Sequence, residues 1–251
     1  MNGPPSSSRK LVLFTRSPRA EARAKGLPVK SGARLFERFL ESWEEAAGRV
    51  GASLLVVAPP TSTRALGLLF RNDPVEVACQ RGTSFADRVE SAVSGAFGPG
   101  TSPLVVAAGD TPAPDPSVLE EAFSRLERDD HQVVLEPSPD GGVNLIGLAR
   151  PVPGLLSEVD WSEGLVHRSL HSQARLRGLR VHVLPARLDI DRIGDVAEAR
   201  RLAGGSGEWS RYERLLDALL QTTATVVPLS IRLPSILGRS GAAARAPPIL
   251  P

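Results

Sequence analysis

Cysteine is nearly absent from this 251-residue chain. Cys79 stands alone, which rules out an intrachain disulfide and leaves no set of thiolates for a structural zinc site. That usage suits a reducing compartment, and a cytoplasmic location is expected. Aromatic residues make up 4% of the chain, so a core must be assembled mainly from Val, Leu, Ile and Ala. No apolar run is long enough to cross a bilayer, and Leu11–Phe14 is too short for the apolar centre of a signal peptide, so export is not expected. The formal charge is only +2 and gives no sign of the concentrated basic face that nucleic-acid binding needs. Three nucleotide or hydrolase signatures are missing as well: the Walker loop, the Gly-x-Gly-x-x-Gly fingerprint and the Gly-x-Ser-x-Gly elbow.

What is present is a hydrophobic content of 41%, enough for a core without covalent staples, arranged as short apolar runs between longer amphipathic ones. The runs Leu11–Thr15, Ser53–Ala58, Val75–Cys79, Leu104–Ala108, Gln132–Glu136, Val143–Leu148 and Arg180–Leu184 read as strands. Helices are expected near Gly32–Val50, from Ser84 to Phe97, from Asp115-Pro116 to Arg128, over Trp161–Arg177 and Ile193–Ala203, and from Glu208 to Gln221. Ser84 with Asp87 forms a capping box, and Pro116 suits a first helical turn. Continuous apolar strands alternating with helices imply a mostly parallel sheet covered on both faces, with a hairpin-like element at Asp140-Gly-Gly making it mixed. The expected fold class is therefore α/β, a three-layer α/β/α sandwich.

The organisation expected is a flexible N-terminus over 1–10, a main domain over 11–203, a glycine-rich hinge and helix over 204–221, and a partly mobile Pro/Arg-containing tail over 222–251. No repeat of solenoid length occurs.

Ligands in open parallel sheets lie beyond the carboxyl ends of the strands. Asp110 follows the strand Leu104–Ala108, where a carboxylate either holds a hard divalent cation or caps a turn before Pro112. Asp140 lies in an Asp-Gly turn, itself a favoured hairpin sequence. Asp189 and Asp191 flank Ile190 and point the same way if that segment is extended; Asp191 is equally placed to cap the next helix. Arg16, Arg19, Arg23, Lys25 and Lys30 follow the first strand in what reads as a polar basic loop, either solvated or phosphate-binding. Cys79, in an apolar strand, reads as a small buried hydrophobe. His167 and His171 share a helical face without the spacing of a metalloprotease.

Taken in order, several segments resemble one family. They are Phe14-Thr-Arg-Ser-Pro18, Gln80–Arg88, Gly109-Asp-Thr-Pro112 with the helix from Pro116, Pro137–Leu148, and Leu188–Asp191 through Asp195. The family is DUF2064, bacterial transferases of the GT-A type, among them radical-SAM/selenodomain-associated and arsenosugar-biosynthesis glycosyltransferases. The likeness spans about Leu11 to Leu202. It implies the Rossmann-like nucleotide-diphospho-sugar transferase fold and a metal-dependent glycosyltransferase with a nucleoside-diphosphate-sugar donor and a small-molecule acceptor. On this likeness Mg²⁺ or Mn²⁺ sits at Asp110 with Asp191, Asp110 and Asp140 serve catalysis, and Arg16, Arg23, Lys25 and Arg88 contact nucleotide or phosphate. Arg88 also reads as a structural ion-pair partner.

The sequence departs from the family pattern in two places. The usual Gly-x-x-Lys-Thr-Arg-Leu run falls on Glu21-Ala-Arg-Ala-Lys-Gly-Leu27, which puts a carboxylate where backbone should approach phosphate. The usual aromatic pair after Gly141-Gly142 is Val143-Asn144. Nucleotidyl transfer to a phosphorylated small molecule, and a non-catalytic binding or scaffold role, are the alternative readings.

Overall fold

The computed structural model describes residues 9–98, 103–128, 131–205 and 207–226. Among these, seven strands form one sheet: β1 (Lys10–Phe14), β2 (Ser53–Ala58), β3 (Glu76–Cys79), β4 (Leu104–Ala108), β5 (Val133–Pro137), β6 (Val143–Leu148) and β7 (Val181–Val183). Their spatial order is β3-β2-β1-β4-β6-β5-β7. Only β6 runs against its neighbours; the pairs β1–β2, β1–β4, β2–β3 and β5–β7 are parallel. The α/β class and mixed, mostly parallel sheet expected from the strand pattern are present.

Both faces of the central strands are buried, which is why they read as unbroken apolar runs. In β1, Leu11 and Leu13 belong to one core cluster and Val12 to the other, as the two-residue strand period requires. The first cluster lies under α2 (Val29–Arg49), α3 (Pro60–Leu69) and α5 (Pro116–Glu127); the second lies under α4 (Phe85–Ala96) and α6 (Val166–Leu176). A third cluster joins α1 (Pro18–Ala24) and the outer side of α2 to α7 (Ile193–Ala203), the 3₁₀ turn Glu208–Tyr212 and α8 (Glu213–Val226), through Phe36, Phe39, Val196, Trp209, Tyr212 and Leu216. Phe39 contacts the edges of Trp209 and Tyr212, with ring centroids 5.8 and 5.0 Å apart.

Local chemistry sets several boundaries where expected. The Ser84 hydroxyl accepts from Asp87 N–H while Asp87 accepts from Ser84 N–H, completing the capping box of α4. Asp115 caps α5, with Pro116 in its first turn.

Other expectations are corrected. The basic segment after β1 is not a loop, because Pro18 starts a short helix carried by three alanines. Pro59-Pro60 opens α3 and does not merely close β2. Helix α6 begins at Val166, because the chain from Trp161 first makes turns that bring Trp161 Nε1–H to the Leu156 carbonyl. Cys79 is exposed, since β3 is the sheet edge. Helix α8 continues to Val226, while residues 1–8 of the N-terminus and 227–251 of the tail lie outside the described residues.

Candidate active site

The carboxyl ends of β1, β2, β3 and β4 open onto a cavity of about 480 Å³, a size suited to a small organic ligand. Its walls include Arg16 beyond β1, Pro59 and Pro60 beyond β2, Gln80 and Gly82 beyond β3, Phe85 and Arg88 on α4, and Gly109-Asp110 beyond β4. Glycine is required at 109. A Cβ there would lie 2.2 Å from Thr15 Oγ1 and 2.6 Å from Thr15 Cβ, so the ends of β1 and β4 approach only because that side chain is missing.

One edge of the cavity is acidic. Carboxylate oxygens of Asp110, Asp189 and Asp191 lie within 4.8 Å of one another. Asp189 and Asp191 do point the same way, with Ile190 between them turned into the third core cluster and fully buried. A set of hydrogen bonds holds this segment against the Asp110 turn. Ile190 N–H donates to Asp110 O at 3.0 Å, and the Thr111 hydroxyl donates to Leu188 O at 3.0 Å. From beneath, Trp43 Nε1–H donates to Thr111 O at 2.9 Å, and Ala113 N–H donates to the Ser42 hydroxyl at 3.0 Å. Arg187 completes the weld by donating to Glu136, Glu208 and the Pro112 carbonyl.

The electrostatics follow from this crowding. Burial pushes the Asp189 carboxyl up to about 7, and the charges of Asp110, Asp191 and Asp140 act in the same direction. Burial also raises Glu21, helped by Asp110 and opposed by Arg16 and Lys25. Asp140 moves the other way: burial works against its charge, but hydrogen bonds from the Ser138 hydroxyl and Gly142 N–H hold it below the usual range. Its side chain thus serves its own turn, within electrostatic reach of Asp189 and Lys25.

Arg16 and Arg88 line the cavity, although Arg16 also pairs with Glu21 at 3.0 Å. Arg88 approaches the Phe85 ring at 5.9 Å and has no carboxylate partner among the described ion pairs. Lys25 is placed differently, with its ammonium 2.7 Å from Asp110 Oδ2 and in direct contact with Asp191. Arg23 is exposed on α1 and does not line the cavity. Val143 and Asn144 lie behind Phe85 in a small apolar recess with Trp161, and the Asn144 amide donates to Arg187 O at 2.7 Å. Sequence reasoning missed Arg187 and Trp43, and did not rank Asp189 with Asp110 and Asp191. The alternation around Ile190 was the one local signal for Asp189.

The family model described as "Uncharacterized protein conserved in bacteria (DUF2064)" matches residues 43–163. The DUF2064 match contains Arg88, Asp110 and Asp140, whereas Arg16, Lys25, Asp189 and Asp191 lie outside it and join the site through the fold. Among solved structures, a protein of Desulfovibrio desulfuricans G20 provisionally described as a nucleotide-diphospho-sugar transferase superposes with a TM-score of 0.73. It is 22% identical, over 86% of this chain and 98% of that one. The 4-diphosphocytidyl-2C-methyl-D-erythritol synthase of Anaerococcus prevotii DSM 20548 superposes at 0.56, with 8% identity over 79% and 100% of the two chains. Rv0371c of Mycobacterium tuberculosis H37Rv, in its manganese complex, superposes at 0.52, with 15% identity over 76% and 97%. The fold is that of nucleotide-diphospho-sugar transferases. No curated protein matches the sequence. Among the described residues, no helix is long and apolar enough to cross a membrane.

Proposed function

We propose that this protein is a glycosyltransferase that takes a nucleoside-diphosphate-sugar donor in the cavity above β1–β4 and uses a divalent cation held by Asp110, Asp189 and Asp191. The observation that carries the reading is the convergence of those three carboxylates at the edge of a cavity walled by Arg16 and Arg88. The donor set fits Mg²⁺ or Mn²⁺, hard ions that take oxygen ligands. One oxygen of Asp110, Oδ1, is buried and has no hydrogen-bond partner, a costly arrangement that a bound cation would relieve. The manganese complex of a protein with this fold supports the choice of ion.

When bound, the cation would stabilise negative charge growing on the diphosphate leaving group. The chain's own residues do the rest. Arg16 and Arg88, both in the cavity lining, offer guanidinium donors to phosphate oxygens. Gly109 lets the ends of β1 and β4 close together at the head of the cavity. Asp140, kept ionised by Ser138 and Gly142, is suited to accept a hydrogen bond from an acceptor hydroxyl.

Nucleotidyl transfer is the second reading, since the same fold hosts both reactions and the synthase from Anaerococcus prevotii shares it. The cavity wall argues against it. Glu21 lines the cavity close to Arg16, which is poor provision for a triphosphate.

Calorimetry with UDP-, GDP- and ADP-sugars and with nucleoside triphosphates, each with and without Mn²⁺, tests the proposal. Metal-dependent binding of one sugar nucleotide, lost in Asp110→Ala, is the expected result. Tight binding of a triphosphate in its place would favour nucleotidyl transfer, and absence of binding by every nucleotide at millimolar concentration would overturn both.

A further inference from the structure

The cluster of Asp110, Asp189 and Asp191 already contains a cation, and it belongs to the chain. Lys25 caps the carboxyl end of α1, and its side chain is 14% exposed. Its ammonium lies 2.7 Å from Asp110 Oδ2, touches Asp191 Oδ1, and is 3.8 Å from Glu21 Oε1. Two of the three carboxylates offered to a metal are thus engaged by a single, largely buried ammonium, whose one positive charge offsets one of their two negative charges. The third, Asp189, makes no ion pair among the described residues.

A divalent ion taking Asp110 and Asp191 as ligands would have to sit within a few ångströms of this ammonium, where like charges repel strongly. The carboxylates cannot serve both cations in this arrangement. A four-carbon stem with rotatable bonds gives Lys25 the means to withdraw, which a guanidinium locked in a bidentate pair would lack.

We infer that Lys25 is a tethered counter-ion that holds the Asp110–Asp191 pair in the metal-free protein and is displaced when the divalent ion enters. This inference rests on the metal reading of the carboxylate cluster. Its consequence is thermodynamic: metal affinity is reduced by the fraction of molecules in which Lys25 occupies the pair. It also gives Lys25 a role distinct from direct phosphate contact, because its ammonium is turned to carboxylates and Lys25 does not itself line the cavity.

Two measurements test it. Mn²⁺ binding, followed by calorimetry without nucleotide, is expected to be about tenfold tighter in Lys25→Met than in the unaltered protein, the gain that corresponds to vacating a pair occupied nine times in ten. In the unaltered protein, acylation of Lys25 by an amine-reactive ester, read by mass spectrometry, is expected to be slow without Mn²⁺ and to rise when Mn²⁺ saturates. Exposed Lys30 serves as the internal reference. This second measurement does not depend on the variant folding. Unchanged Lys25 labelling at saturating Mn²⁺, or equal or weaker Mn²⁺ affinity in folded Lys25→Met, would overturn the inference and leave the metal site standing. Failure of both proteins to bind Mn²⁺ at millimolar concentration would remove the metal site and the inference together.

Discussion

Arg187 and Glu136 form an ion pair of 3.0 Å in which the glutamate side chain has no solvent exposure. Burial pushes the Glu136 carboxyl up and Arg187 pulls it back, so each charge depends on the other. The same guanidinium binds Glu208 and the Pro112 carbonyl, tying the Asp110 turn to the segment that carries Asp189 and Asp191. Arg187→Met is therefore expected to cost about 3–5 kcal/mol, the penalty for leaving a buried carboxylate unpaired. Denaturant unfolding measures it, and the double variant Arg187→Met/Glu136→Leu should recover part of the loss.

Gly109 and Thr15 set the spacing at the head of the cavity. Gly109→Ala is expected to destabilise by about 1–3 kcal/mol through overpacking. Thr15→Ala should not rescue it, because the Thr15 Cβ is itself 2.6 Å from the added methyl. Recovery of full stability in Thr15→Ala/Gly109→Ala would mean that only the hydroxyl matters.

Asp189 supplies a pH dependence whose sign can be worked out. Its folded value of about 7 lies above the ordinary 3.8, so between these limits the folded protein holds a proton that the unfolded chain has lost. The stabilising contribution is complete below about pH 4 and disappears as pH rises through about 7. In metal-free buffer, the unaltered protein should lose up to a few kcal/mol relative to Asp189→Asn across that window, one pKa unit being about 1.4 kcal/mol. Parallel melting curves for the two proteins from pH 4 to 8 would refute this.

Arg88 should affect ligand binding and leave stability nearly alone. Arg88→Ala is expected to weaken sugar-nucleotide binding by tenfold or more, given about 1.5–3 kcal/mol for a charge-assisted hydrogen bond. Its melting temperature should hardly move, since among its described side-chain contacts are a 3.4 Å hydrogen bond to Thr83 O and the face of Phe85. A large loss of stability would instead identify Arg88 as structural.

Ser84→Ala removes one half of the α4 capping box and should cost about 1 kcal/mol by chemical denaturation. Because α4 carries Phe85 and Arg88 into the cavity, nucleotide affinity is expected to fall with it.

Much of this molecule is legible in the chain because the controlling interactions are local. Apolar runs placed the seven strands, Ser84 with Asp87 and Asp115 with Pro116 placed two helix starts, and the Asp140-Gly-Gly turn placed a hairpin. The acidic residues of the cluster were also visible as candidates, since they follow strands. Less was visible around Arg16–Lys30, where charge suggested a loop. Alanine content and Pro18 favour a helix there, and that helix decides which of its charges face inward.

Strand positions, caps and turns were thus determined by sequence alone, because each depends on residues a few positions apart. The α/β class followed from their order. Tertiary structure decided the site. Lys25 meets Asp110 across 85 residues and Asp191 across 166, and nothing in local pattern selects those partners over Arg23. The edge position of Cys79, the burial that shifts Asp189, and the Arg187 weld likewise exist only once distant segments are packed, since desolvation and ion pairing depend on which surfaces close over a group.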